Sequence, residues 1–473
     1  MRNFKSILLL VVGIGSLSSP LEARTITRDE FLNRLKELHP LFEKERLSAQ
    51  IEKEEQKSLL GTRDWNLFSF LNFSHEEPVI AFAGPERSET LSLNTGLERL
   101  FWRTGGRFSA SFSSASADIE IDPLYGFPAT FYQNQLALAY THPLWKNRKG
   151  FLDRLQYELK QFDIDFSKIQ ARENIEDFLA ASGAKILDWV FLTEQKKIIR
   201  DRLKLSEEEF ARTRKKREAN LVDQADLIRA EDAVRIWRQN QVLAESHGKA
   251  LQAELAVLSQ DDRLYNLIPE FNLYGIEELL PLEEAVSRLK ENSRLLKVIR
   301  VRLEQLEYVR KGFEEQARPG LSLLTRVSTK SLEEDFSDSL KMDKPDALVG
   351  LQFSLPLENR LARSRISKTD LQLTQLKKQL EELNLTLVSA LANVYIRIKE
   401  LKKVLELNRE QIKSARERTG EELKLYNRGR GELTFVILSR DNEQNAKLTY
   451  ARNALAYHKL IIKYRALMDQ FYK

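Results

Sequence analysis

Two rhythms of apolar residues run along the chain. Leu373, Leu376, Leu380, Leu383, Leu387, Leu391, Val394, Ile398, Leu401 and Leu405 follow one another in steps of three and four. Such steps mark a helix that buries one seam against a partner. The two successive fours at Leu383, Leu387 and Leu391 form a stutter, which relaxes left-handed supercoiling and suits a nearly straight wall of helices. An ordinary two-stranded coiled coil would carry the same seam.

Elsewhere the rhythm is two. Ala347, Val349, Leu351 and Phe353 alternate with Leu348, Gly350, Gln352 and Ser354. Leu136, Leu138 and Tyr140 alternate with small or polar residues, as do Leu321, Leu323, Thr325 and Val327. Leu91 with Leu93, and Phe108, Ala110 with Phe112, mark two more strand-like runs at 89–101 and 105–116, flanking Arg103-Thr104-Gly105-Gly106. Large apolar residues on one face and small or polar ones on the other fit a lipid-facing, water-lined barrel. They fit a soluble sheet with one wet face equally well.

The order of these elements occurs twice. Arg34-Leu35-Lys36-Glu37 returns as Arg288-Leu289-Lys290-Glu291, and the same register brings Leu67 onto Leu321 and Ser74 onto Ser328. Pro143-Leu144 returns as Pro356-Leu357, each followed by Asn-Arg at Asn147-Arg148 and Asn359-Arg360. Each half reads as helix, strands, long helix, tight turn and return helix. First helices are expected over 27–60 and 282–316, long helices over 147–216 and 360–427, and return helices over 222–259 and 433–470. No proline lies between Pro143 and Pro269 or after Pro356, so nothing breaks these helices. A helix of ~70 residues is ~105 Å long, far more than a globular domain is wide. Gly429-Arg430-Gly431 reverses the second hairpin, because glycine tolerates the positive φ of a tight turn. Asn220 holds the equivalent place in the first, as the next-best residue for that conformation. The chain therefore divides into a leader (1–23), a first repeat (24–281) and a second repeat (282–473).

Composition narrows the function. Charged residues make up 31% of the 473, and acids and bases interleave, so the net charge of +5 forms no basic stripe for nucleic acid. The chain has no cysteine, which excludes disulfides, thiolate metal sites and a cysteine nucleophile. Arg2 and Lys5, the apolar run Ile7 to Ile14, and the small residues up to Ala23 read as a signal peptide. No later segment approaches 18 consecutive apolar residues, so any membrane crossing falls to β-strands. The five histidines, His39, His75, His142, His247 and His458, are scattered and form no His-Glu-x-x-His pair. There is no Gly-x-Ser-x-Gly elbow and no phosphate-binding glycine loop, so no catalytic, cofactor or metal site is expected.

Leu136-Ala137-Leu138-Ala139-Tyr140-Thr141-His142-Pro143-Leu144 resembles the strand with a Gln-Pro-Leu-type ending found in TolC-like outer-membrane efflux proteins, with His142 in place of Gln. Asn220-Leu221-Val222-Asp223, continuing to Asp226-Leu227 and Ala230-Glu231, resembles the family's first hairpin tip, and Gly429 to Asp441 its second. The resemblance covers nearly all of the mature chain. It implies a mixed α and β membrane protein with an internal tandem repeat. Long antiparallel helical hairpins would form a periplasmic α-barrel, joined to a transmembrane β-barrel shared by a homotrimer, four strands per subunit and twelve in all. The implied function is an outer-membrane exit duct of a tripartite efflux or type I secretion system, with a periplasmic adaptor, an inner-membrane pump and outer-membrane lipid as partners. The rival reading is a soluble periplasmic coiled-coil adaptor, which would account for the helices and leader but not for duplicated strands. The 89–116 insert departs from the simplest family pattern.

The resemblance also places candidate sites. The tips, Asn220, Leu221, Val222, Asp223, Gly429, Arg430 and Gly431, would dock the adaptor, or serve only to turn the chain. Phe435 and Leu438 fall where family members narrow the pore, and being three apart they share a helix face. Asp226 and Arg229 are the matching pair in the first half. Tyr426 matches a family gate tyrosine, but the gate arginine position falls on Gly431, with Arg430 shifted by one. The expected constriction is therefore an apolar iris of Phe435 and Leu438, set against simple packing between helices, with Tyr426 and Asp226 as the alternative.

Overall fold

The computed structural model describes residues 25–77, 85–121 and 129–472, so the expected leader lies outside the described residues. The first half runs β1 (Thr25–Thr27), α1 (Arg28–Leu38), α2 (Pro40–Ser58), β2 (Asn66–Glu76), β3 (Pro85–Phe101), β4 (Gly106–Ile121), β5 (Ala129–Pro143), α3 (Phe151–Glu218) and α4 (Gln224–Ser259). The second runs β6 (Ile268–Glu270), α5 (Leu282–Asn292), α6 (Arg294–Gln316), β7 (Gly320–Glu333), α7 (Phe336–Ser339), β8 (Lys344–Ser354), α8 (Arg360–Asn427) and α9 (Leu433–Leu467).

The long helices α3 and α8 each have 68 residues, about 100 Å at 1.5 Å per residue. They begin where Asn147 (φ 64°) and Asn359 (φ 45°) turn the chain into the left-handed region. Each expected first helix is instead a broken pair. His39 is extended ahead of Pro40, as the clash of a proline ring with the preceding residue requires. Ser293 breaks the second without a proline; its hydroxyl caps Leu296 N–H, and the Arg294 amide donates to Asp469 at 2.8 Å. The register that aligns Arg34 with Arg288 aligns His39 with Ser293.

The helices form a layered bundle. Gln56 of α2 donates to the Tyr157 carbonyl near the start of α3, while Arg238 of α4 pairs with Glu207 near its end. Two shorter helices thus cover one long one, as their expected lengths suggested. The α8 seam is in place: Leu387, Leu391, Val394, Ile398 and Leu405 are buried against Tyr450, Ala454, Tyr457 and Ile461 of α9. Each such leucine contributes roughly 1.5–3 kcal/mol by leaving water. A second core joins Phe31 and Leu35 of α1 to Leu179, Ile186 and Trp189 of α3 and Leu255 of α4.

All the long strands share one antiparallel sheet, in the order β2-β3-β4-β5-β7-β8. This corrects the expectation of four strands: the 89–116 insert supplies β3 and β4, which pair between β2 and β5. The register puts Leu67, Leu71, Leu93, Phe112, Leu136, Val327 and Leu351 on one face. Near the helices much of that face is exposed, Leu67 by 72% and Leu351 by 69%, while farther out Asn134 and Ser331 on the same face are buried under α7, whose Ser339 they bond. The other face carries Asn72, Ser92, Ser113, Gln135, Ser328 and Gln352. Where the sheet meets the helices, Trp65 packs edge-on against Phe108, and Trp145 against Phe353. Among the described residues no helix is long and apolar enough to cross a membrane.

Candidate functional site: the hairpin tips and the charged seam above them

At the first tip α3 ends in a left-handed residue. Asn220 has φ 53°, its amide donates to the Arg217 carbonyl at 2.9 Å, and Leu221 N–H returns to Lys216 at 2.8 Å. These bonds satisfy carbonyls that a helix end would otherwise orphan. Leu221 is left 73% exposed. Asp223 stands at the N-cap of α4, and Asp226 accepts from Arg229 at 3.0 Å on the outer face. At the second tip Gly429 takes φ 73°, and Arg430 N–H donates to the Leu425 carbonyl at 3.0 Å. Gly431 lies so close to the backbone that an added Cβ would stand 3.0 Å from Tyr426 N. The turn roles expected of Asn220 and Gly429 therefore hold.

Tyr426 is held against the first hairpin, with Lys216 Nζ 3.9 Å from its ring centroid, a cation–π contact. Its hydroxyl is buried without a hydrogen-bond partner, and Asp226 is engaged with Arg229. On α9, Leu433 and Val436 are buried within the chain, whereas Phe435 and Leu438 are 51% and 54% exposed. Within their own subunit, then, Phe435 and Leu438 do not pack between helices.

About four turns above the first tip, α3, α4 and α9 are fastened by buried charge. Arg202 is fully buried; its Nε donates to Asp441 at 2.9 Å, and its guanidinium also reaches Ser206 at 2.5 Å and Glu209 at 3.4 Å. Arg440 closes on Glu209 from α9, and Trp237 Nε1 of α4 donates to Asp441 at 3.2 Å. Burial pushes the Glu209 carboxyl above its ordinary range, while Arg202 and Arg440 pull it back. Neither composition nor motif singled out this cluster. A signal was present: Ile199, Arg202, Ser206, Glu209 and Thr213 step by three and four, placing polar residues on a seam.

A second cluster ties down the chain's last turn. Glu176 accepts the amides of Phe471 at 2.8 Å and Tyr472 at 2.7 Å, and pairs with Arg294 at 3.2 Å. Beside it, burial and the Asp469 charge push Glu173 up to about 7.

Two long helical hairpins ending in tight turns are joined to a six-stranded antiparallel sheet. No protein-family model and no curated protein matches the sequence. Solved structures do match. CusC, studied for folding and transmembrane channel formation, aligns with a TM-score of 0.69 at 11% identity, over 93% of this chain and 91% of its own. The outer membrane protein VceC of Vibrio cholerae aligns at 0.66 and 10%, over 93% and 96%. The open state of the MtrE outer membrane channel of Neisseria gonorrhoeae aligns at 0.66 and 14%, over 93% and 88%. The fold is that of TolC-like outer-membrane channels.

Proposed function

We propose that this chain is an outer-membrane channel subunit, a passive exit duct in a tripartite efflux or type I secretion system. The observation that carries the reading is the apolar row Leu67, Leu97, Ala110, Leu138, Val327 and Ala347, which crosses all six strands on one face above ~100 Å hairpins. A soluble adaptor would leave that face in water, far beyond the few hundred Å² that monomers tolerate. The sheet has two free edges, β2 and β8, which a chain alone in lipid leaves unpaired. Three copies of the tandem repeat, joined edge to edge, close a barrel and set the helices into a periplasmic tunnel. In this arrangement Phe435 and Leu438 of three subunits form an apolar iris that excludes water, a recognised means of blocking ions. The tips at Asn220–Asp223 and Gly429–Gly431 face the periplasmic adaptor, beyond which the inner-membrane pump supplies cargo. No catalysis is assigned. The test is membrane fractionation with carbonate washing, followed by cross-linking in native membranes. A retained trimer is expected; a washed-off protein, or monomer alone under conditions that preserve other trimers, refutes the reading.

A further inference from the structure

Strands β3 and β4 exceed the family's four-strand pattern, and they carry the same two faces as their neighbours. Leu67 lies opposite Leu97, Leu97 opposite Ala110 and Ala110 opposite Leu138, so an apolar row passes through the added hairpin; Leu93 and Leu91 meet Leu71 and Phe73 on β2, and Ser114 and Ser116 on β4. On the other side Ser111 meets Ala137 and Ser113 meets Gln135, continuing the small, polar face. A flap over a barrel mouth would be wetted on both faces and would leave an edge free. Here β3 pairs along all of β2, and β4 pairs with β5 from Arg107 to Ile119. The hairpin's near end is also fixed. The buried Trp102 donates from its indole to Thr62 Oγ1 at 3.1 Å and packs edge-on against Tyr157 of α3, and Arg154 reaches its carbonyl at 3.4 Å. Gly150 lets the turn approach so closely that an added Cβ would stand 2.0 Å from the Trp102 carbonyl oxygen.

We propose that β3 and β4 are membrane-spanning staves whose outer face meets lipid acyl chains. Each subunit then lends six strands, and the closed barrel has eighteen rather than twelve. This rests on the channel reading above. Barrel diameter grows roughly linearly with strand number, so at equal tilt the outer pore is about 1.5 times as wide as a twelve-stranded one. Size selection is thereby left to the hairpin tips.

The chain has no native cysteine, so single-cysteine variants report cleanly. In proteoliposomes, a bimane label on Leu93→Cys or Phe112→Cys should be quenched by nitroxide lipids as strongly as one on Leu351→Cys of β8. Ser92→Cys and Ser113→Cys should react with a membrane-impermeant methanethiosulfonate, as Gln352→Cys does. If the four hairpin positions all react from water while Leu351→Cys stays quenched, the hairpin is a mouth cover and the proposal falls alone. If Leu351→Cys is also unquenched, the channel reading falls with it. As a second readout, excising residues 87–119 leaves β2 and β5 antiparallel and able to pair directly. Top-view electron-microscopy projections of that trimer should show a β-ring about one third narrower; an unchanged ring overturns the proposal.

Discussion

Arg440→Met should loosen the lower part of α9 in a pH-dependent way. In the native chain Glu209 is buried between Arg440 and Arg202, the latter at 3.4 Å and shared with Asp441 and Ser206. Removing Arg440 takes away the nearer counter-charge and leaves a buried carboxylate half compensated. Breaking a buried pair by deleting one partner costs about 3–5 kcal/mol, and at ~1.4 kcal/mol per decade that is a ~100- to 4000-fold rise in local opening. The sign with pH follows from the carboxyl. Its folded pKa already lies above the ordinary value, and the variant raises it further. Between the unfolded and folded values the folded state holds more protons, so stability falls as pH rises through that window. The defect should therefore be largest above the window in which Glu209 titrates and shrink as pH falls through it, because a neutral Glu209 needs no partner. The assay is amide hydrogen exchange of the Leu433–Gln444 peptide in the purified protein, corrected for intrinsic exchange at each pH. Adding Glu209→Leu should restore protection, because an apolar pair of similar volume replaces a buried ion pair at little cost. Native exchange rates in Arg440→Met, or a defect that grows toward acid, would refute the argument.

Phe435→Ser with Leu438→Ser should raise single-channel conductance in planar bilayers while trimers persist; wild-type conductance places the constriction elsewhere. Reversing charge at Arg430 together with Asp223 should weaken export without dissociating trimers, and wild-type export would remove the adaptor-docking role of the tips. Glu173, held at about 7 by burial and Asp469, should make the C-terminal clamp less stable as pH rises from ~4.5 to 7. Glu173→Gln should abolish that slope in exchange measurements on residues 467–472, and an unchanged slope would assign it to another group. Gly150→Ala combines φ +63° with a collision at the Trp102 carbonyl, so it should lower trimer melting by several degrees, equivalent to about 1–3 kcal/mol of strain.

The helices were legible because their signals are local. Absence of proline allowed 68-residue runs, and Asn220 and Gly429 marked both tips through a conformation that few residues adopt. The break at His39 could also have been read, since the residue before a proline avoids the helical region. The break at Ser293 could not: it depends on the Asp469 carboxylate, brought there from the far end of the chain. Strand period was legible too, but a period of two does not say which strands are neighbours, and pairing is set by the whole sheet. The 89–116 runs were seen as strands, yet their place between β2 and β5 appears only when the edges are matched.

The buried charges differ from both cases. Ile199, Arg202, Ser206, Glu209 and Thr213 keep seam spacing while changing chemistry, and on α9 Arg440 and Gln444 continue the steps from Leu433 and Val436 in the same way. A solvated face would show no such register. Polar residues at seam positions are kept at a cost in stability and can fix which helices meet and in what register. Here they join α3 and α4 of one hairpin to α9 of the other, in a stretch whose small apolar cluster is Ile199, Leu203, Val234, Trp237 and Ala244. Farther up, Leu187, Val190 and Ile198 of α3 share one apolar core with Leu391, Tyr457 and Ile461 of the second hairpin, with a Lys459–Asp188 pair at 2.7 Å linking α9 to α3 beside it. Apolar surfaces slide past one another with little penalty, whereas the Arg202, Glu209, Arg440 and Asp441 set is satisfied in one alignment. The register of the two hairpins is therefore set near their tips, by residues whose spacing was visible before their partners were.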